Sequence, residues 1–378
     1  MKTYDVTLVG GGIIGISAAF ELAERRLHVL VLDRQECGRE ASWAAAGMLA
    51  PGTDDPDSAA LVPLMKRSLE LYPEFVGAIE QASRKTTGFA REGTLEVFFG
   101  AAGESERDRF VREHIQLGLS AKTIPLPSAR EMEPWLGPHA SAAAWLPDEA
   151  TVDPRLLVDA AVTAAQARGV EIRSHCPVNR LRLKGRRCVG VAAGGEEVSS
   201  HGVVITAGCF SACHDDEIAH RAPTHPVRGQ MIALRPASPG LKLRRVLRSA
   251  NGYLVPRSDG RMLAGSTLEK AGFEKVVTPE GLAKIIRAAL ELAPALAGAE
   301  IVETWAGLRP GTPDNLPILG QTDIEGLFVA TGHYRNGILL APITGKLVAR
   351  WISGEKTGID QSAFSPLRFI DRTAPHML

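Results

Sequence analysis

The chain has 378 residues, with 43 basic and 43 acidic side chains in balance. That balance leaves no basic stripe for nucleic acid and no polybasic segment for an anionic membrane. The length suffices for about two domains.

Residues 4 to 9 form a short apolar run with β-branched side chains that stops at three glycines, the pattern of a buried parallel strand entering a tight turn. From Ile13 the period changes. Ile14, Ala18 and Leu22 make one stripe and Ser17, Glu21, Glu24 and Arg25 lie opposite it, as an amphipathic helix requires. Residues 29 to 32 read as a second buried strand ending at Asp33. The glycines divide the work between them. Gly10 permits the turn, Gly12 lets backbone approach a pyrophosphate, and Gly15 lets helix and strand pack closely. The helix start offers free N–H groups to phosphates, and Asp33 can accept hydrogen bonds from a ribose. This stretch implies dinucleotide binding but does not separate FAD from NAD.

After "SWAAAGMLAP" (residues 42 to 51) and a polar break at Asp55-Pro56, residues 58 to 83 look helical. The small residues before Gly47 suit a backbone passing against a planar ring, or an Ala-rich helical turn. Residues 93 to 99 read as a strand; 104 to 117 and 128 to 135 read as helices. Asp153 can cap a helix with Pro154 at its first position and Gly169 at its end. A βαβ rhythm returns through residues 170 to 173, a hairpin-like pair over 180 to 198, and a strand over 203 to 206 that ends at Ala207 and Gly208. Long β segments follow in "THPVRGQMIALR" and "GYLVPRSDGRMLAGST", the latter turning at Ser258-Asp259-Gly260. A helix covers residues 279 to 292. The chain closes with "VETWAGLRPGTPDNLPILG", a strand at "LFVATG" and a helix starting near Asn336-Gly337. Pro342 must lie in that helix's first turn or kink it. If the helix start is aimed at a flavin, its free N–H donors would stabilise the reduced ring.

Rossmann-like pieces at the start, middle and end, with β-rich material between, predict an α/β fold. One nucleotide-binding domain comes from residues 1–84, 150–222 and 305–378. An α+β substrate domain with a large antiparallel sheet comes from 85–149 and 223–304. The five cysteines (Cys37, Cys176, Cys188, Cys209 and Cys213) show no zinc-ligand spacing, and an odd number fits a reducing cytosol. Cys209 and Cys213 could share a helix face, but read as packing residues. Lys2 precedes an apolar run that Asp5 and the glycines interrupt, which makes a poor signal peptide, and no run has the length of a spanning helix. A cytoplasmic protein away from membranes is expected. No metal site is expected.

Together, "VGGGIIG", "ASWAAAGMLAP", "DPRLLVDA", "GYLVPR", "WAGLRPGTPDNLPILG" and "GHYRNGILLAPITG" resemble the D-amino acid oxidase superfamily of FAD enzymes, and within it the bacterial glycine oxidase group of thiazole synthesis. The resemblance runs over nearly the whole chain. It implies FAD held without a covalent bond; no cysteine follows Cys213 to tether it. It also implies oxidation of glycine, sarcosine or a small D-amino acid by hydride transfer to flavin N5. Oxygen then gives hydrogen peroxide, and the imine hydrolyses to a 2-oxo acid and ammonia. The implied FAD contacts fall on Ile14, Gly15, Asp33, Arg34, Ser42, Trp43, Ala46, Gly47, Met48, Val178 and Gly208. They continue at His333, Tyr334, Arg335, Asn336, Gly337, Ile338 and Leu339, and join Gly10 and Gly12.

The implied carboxylate-binding residue is Arg309, with Tyr253 as second contact and Arg335 at the pocket entrance. If "ETWAGLR" is extended, Trp305, Gly307 and Arg309 share a face, and Gly307 would leave space beside the guanidinium. A planar fork can grip a carboxylate with two parallel bonds; the alternative is a structural arginine paired with an acid. Asn251 and Leu268 stand where related enzymes can carry a histidine and a methionine, which bears on substrate preference. No residue is assigned as a catalytic acid or base, since hydride transfer mainly demands positioning. A homotetramer and a thiazole synthase partner follow from the resemblance. Two competing readings are a D-amino acid dehydrogenase that feeds a quinone and a flavin-binding protein without turnover.

Overall fold

The protein is described by a computed structural model covering residues 3–52, 56–213, 215–237 and 243–370. Asp55, in the expected polar break, lies outside those residues.

A first sheet has the order Ile318–Gln321, Leu327–Thr331, Glu196–Ile205, Thr3–Val9, Val29–Leu32 and Glu171–Arg173; the first pairing is antiparallel and the other four are parallel. Arg187–Ala193 and Val178–Lys184 extend it antiparallel from Glu196–Ile205. The expected strand over 203 to 206 is therefore the end of a ten-residue one. Helix Ile13–Glu24 packs against Gly337–Ile352 and Pro154–Ala167.

The sequence implied that the first helix had a wet face, and the structure corrects this. Ser17 and Glu21 are both buried, because the closing helix covers that side with Gly345 laid against the Ser17 backbone. Burial raises the carboxyl pKa of Glu21, while Lys346, 3.5 Å away, offsets part of that shift.

The second sheet runs Glu300–Gly311, His225–Arg235, Met262–Gly265, Gly252–Pro256, Val246–Ser249, Thr94–Phe99, Ala140–Leu146 and Lys122–Ile124. It is mixed rather than wholly antiparallel, because Val246–Ser249 pairs parallel with Thr94–Phe99. Glu300–Gly311 pairs along its length with His225–Arg235. The expected boundary at residue 305 thus falls inside a strand, and on hydrogen bonding the chain leaves this sheet only after Gly311. Trp305, Met231, Gly265, Tyr253, Arg248 and Glu96 stand opposite one another across successive strands. They share one face of the sheet, and Arg309, four residues after Trp305, shares it too.

Local signals explain some element ends. Asp153 accepts N–H bonds from Arg155 (2.9 Å) and Leu156 (3.3 Å), with Pro154 at the first helical position. The expected helix over 58 to 83 begins as a 3₁₀ turn, Pro56–Leu61, and becomes α-helical over Val62–Ser83. The helix expected over 128 to 135 spans Leu126–Met132. Cys209 and Cys213 lie in a 3₁₀ turn, Gly208–Cys213; Cys209 is buried, but Cys213 is exposed and does not pack.

Candidate active site

A cavity of about 1520 Å³, part of it open to solvent, lies between the two sheets.

One end is built from backbone. Gly10 adopts φ +110°, and its N–H donates to Leu32 O (2.8 Å). A Cβ there would sit 2.7 Å from the backbone of Thr206 and Ala207. Thr206 Oγ1 donates to Gly10 O (2.7 Å), closing the turn onto the neighbouring strand. A Cβ at Gly15 would fall on Gly10 O, so Gly15 serves helix–strand packing and does not line the cavity. Asp33 accepts N–H bonds from Gly11 (2.7 Å) and Gln35 (2.9 Å), keeps lone pairs to spare, and lines the cavity. Burial raises its pKa against those two bonds. Ser42 Oγ accepts the N–H of Ile13 (3.0 Å), so this side chain also shapes the phosphate loop. Arg34 stacks 3.4 Å over Phe210 and pairs with Glu40 (2.6 Å). Glu40 also meets Lys275 (2.9 Å), and although burial pushes its pKa up, Lys275 and Arg34 bring it below the usual carboxylate range.

Of the expected cofactor residues, Gly10, Gly12, Ile14, Asp33, Arg34, Ser42, Ala46, Gly47, Met48, Val178, Gly208, His333, Tyr334, Arg335, Gly337 and Ile338 line the cavity. Trp43, Gly15, Asn336 and Leu339 do not. Trp43 turns away because Arg155 stacks 3.5 Å over it and Trp305 meets it edge-on at 6.2 Å. Leu339 points into the core. Asn336 spends its N–H on His333 O (2.9 Å) and takes that of Leu340 (2.8 Å) on its own carbonyl. The N–H groups of Gly337, Ile338 and Leu339 therefore form the helix end. His333 is buried with Nε2 at 3.1 Å from Thr344 Oγ1, and burial holds its pKa down at about 3.

The other end is built from side chains. Arg309 donates to Ser266 Oγ (2.7 Å) and to Thr267 O (3.1 Å). Among the described residues it forms no ion pair with a carboxylate. Burial lowers its pKa, Arg335 pushes it further down and Tyr253 counters. The structural alternative of an acid-paired arginine therefore does not hold. A half-buried cation held by neutral groups and facing a cavity favours an anion to complete it. Tyr253 lines the same end with its hydroxyl on Met231 Sδ (3.3 Å), and exposed Arg335 stands at the rim.

Gly307 does not make the room beside the guanidinium. A Cβ at Gly307 would strike Ala44, whereas a Cβ at Gly229, directly opposite on the next strand, would fall on the Arg309 guanidinium. Gly229 was therefore missed; its signal was a glycine inside the strand "VRGQM", which marks close approach. Met231, Ser266, Phe210 and Glu40 also line the cavity unanticipated. Asn251 bonds Glu291 (2.9 Å) and Leu268 is exposed, and neither lines the cavity, so they do not shape its walls.

A glycine-rich cradle that opens onto an anion-seeking pocket, between a parallel sheet and a mixed one, defines a dinucleotide-dependent oxidoreductase. The chain belongs to the FAD dependent oxidoreductase family, which it matches over residues 5–351. It is 34% identical to a glycine oxidase of Geobacillus kaustophilus, with 98% of each chain covered. The crystal structure of glycine oxidase from that organism superposes with a TM-score of 0.90 at 32% identity, covering 98% of this chain and all of the other. A bifunctional ThiO/ThiG protein of Synechocystis is 36% identical over all of this chain, which spans 56% of that longer protein. No helix among the described residues is long and apolar enough to cross a membrane.

Proposed function

We propose that the protein oxidises glycine and other small amines that carry a carboxylate, with sarcosine and small D-amino acids in the same class. The observation that carries this reading is Arg309: a guanidinium held by Ser266 and Thr267, without an acid partner among the described residues, facing the cavity. The Gly10–Gly12 cradle, the Asp33 carboxylate and the Gly337 helix end suit the pyrophosphate, ribose and ring of FAD in turn. When bound, FAD supplies the acceptor for a substrate hydride and passes the electrons to oxygen as hydrogen peroxide.

The chain's own residues do the positioning. Arg309 and Tyr253 grip the carboxylate, Arg335 guards the entrance, and the free N–H groups at Gly337 to Leu339 favour negative charge on the ring. No side chain is assigned a proton, so a neutral amine must be the reactive form. The imine then hydrolyses to a 2-oxo acid and ammonia, or methylamine in place of ammonia when the substrate is sarcosine.

The similarity to bifunctional ThiO/ThiG proteins supports delivery of the product to a thiazole synthase for thiamine synthesis. A cytoplasmic location, a homotetramer, and FAD-binding segments 1–84, 150–222 and 305–378 (less the strand residues up to Gly311) belong to the same proposal.

A panel of glycine, sarcosine, D-alanine and L-alanine, with peroxide detection under air, tests it. Peroxide with the first three is expected. Bleaching of the flavin without peroxide would favour a dehydrogenase feeding a quinone. A flavin that none of them bleaches anaerobically would overturn the reading.

A further inference from the structure

We propose that Ser68 and Tyr72 are positioning residues that hold the cofactor-facing end of helix Gly337–Ile352 by supplying hydrogen bonds where Pro342 disrupts that helix. This deepens the FAD reading above and rests on it. Pro342 is the sixth residue of the helix, well inside it, so neither its first turn nor its end explains its tolerance. Lacking an N–H, it cannot donate to the carbonyl four residues earlier, that of Ile338. Tyr72 Oη donates to that carbonyl, at 2.8 Å, and the atoms are buried. One residue on, Ser68 Oγ donates to Leu339 O (2.6 Å) and lies 3.4 Å from the Ile343 N–H. Ser68 and Tyr72 are four apart on helix Val62–Ser83, so they share a face. Tyr72 is held in place by Phe89, stacked at 5.8 Å, and by Phe75, edge-on at 5.8 Å.

The two carbonyls belong to the turn whose N–H groups form the positive helix end, and Ile338 itself lines the cavity. An unpartnered Ile338 carbonyl would set a partial negative charge beside that end and weaken its field. It would also leave a buried acceptor unsatisfied, which favours movement of the turn. The hydroxyls of Ser68 and Tyr72 therefore tune the electrostatics of the flavin site without touching the cofactor.

The test uses FAD-loaded wild type, Tyr72→Phe, Ser68→Ala and Ser68→Thr. The readouts are the dissociation constant of the flavin–sulfite adduct, the flavin reduction potential and the thermal midpoint. Tyr72→Phe and Ser68→Ala are expected to weaken the sulfite adduct about five- to tenfold, the scale of a helix-end charge effect, and to lower the potential. Ser68→Thr, which restores a hydroxyl, is expected to recover most of the loss. Should one variant fail to fold, the other carries the same comparison. A lower thermal midpoint with wild-type sulfite affinity and potential would reduce both residues to packing and overturn the proposal. A wild-type chain that holds no flavin would instead sink the FAD reading and this inference with it.

Discussion

At the nucleotide end of the cavity the contacts come from main chain: the Gly10 turn, the Ile13 helix start and the strand end at Thr206 and Ala207, with Asp33 and Ser42 as braces. At the other end they come from side chains on one sheet face, with Arg309, Tyr253 and Met231 gathered from three strands and Ser266 beside them. Main-chain geometry is tied to local sequence and tolerates side-chain change, so long as the glycines stay. A side-chain pocket depends on register between distant strands, and its specificity can change one residue at a time.

Substitutions that should affect one end and spare the other sharpen this contrast. The largest effect is expected for Arg309→Ala, which removes two charge-assisted bonds to a carboxylate, on the order of 3 kcal/mol. Steady-state assays should show kcat/KM for glycine falling roughly a hundredfold or more, with FAD still bound by absorbance. Loss of the flavin in that variant would break the separation of the two ends.

His333 gives a pH signature. Its folded pKa of about 3 lies below the ordinary 6.5. Between those values the unfolded chain takes a proton that the folded one refuses, so its stabilising share is present above pH 6.5 and lost as pH falls. Denaturant unfolding should show about 2 kcal/mol less stability from this group at pH 5 than at pH 7. His333→Gln should remove that part of the slope; an identical slope in the variant would show that the ring is not kept neutral.

A smaller effect is expected from Gly229→Ala, whose methyl would fall on the Arg309 guanidinium. Displacing the fork by overpacking should cost about tenfold in kcat/KM, mostly through KM, with FAD affinity unchanged. Wild-type kinetics would mean that the guanidinium can sit elsewhere and still bind substrate. The smallest effect belongs to Trp43→Leu. Loss of its contacts with Arg155 and Trp305 should lower unfolding stability by about 1 kcal/mol and leave the FAD dissociation constant close to wild type. A large loss of FAD affinity would return Trp43 to the cofactor site.

The same contrast explains what could be read from the sequence. The Gly10 turn, the Asp33 carboxylate and the Asp153 cap are short-range patterns, and each lies where its spacing placed it. The strand carrying Arg309 was legible as extended, and the family resemblance pointed to the role proposed for it. Gly229 was not legible as the residue that makes room for it, because only the pairing of Gly229 with Gly307 puts the two strands in that register. Trp43 was misplaced for a related reason. Its neighbours in sequence line the cavity, but Arg155 and Trp305, both distant in the chain, turn its ring away. The burial of Ser17 and Glu21 likewise depends on a helix more than 300 residues later.

The central claim is that Arg309 recognises the acid end of the substrate, and anaerobic flavin reduction by glycine and by methylamine, in wild type and in Arg309→Ala, tests it most directly. Wild type should reduce its flavin far faster with glycine than with the amine that lacks a carboxylate, and Arg309→Ala should lose most of that preference. An undiminished preference in the variant would contradict the account.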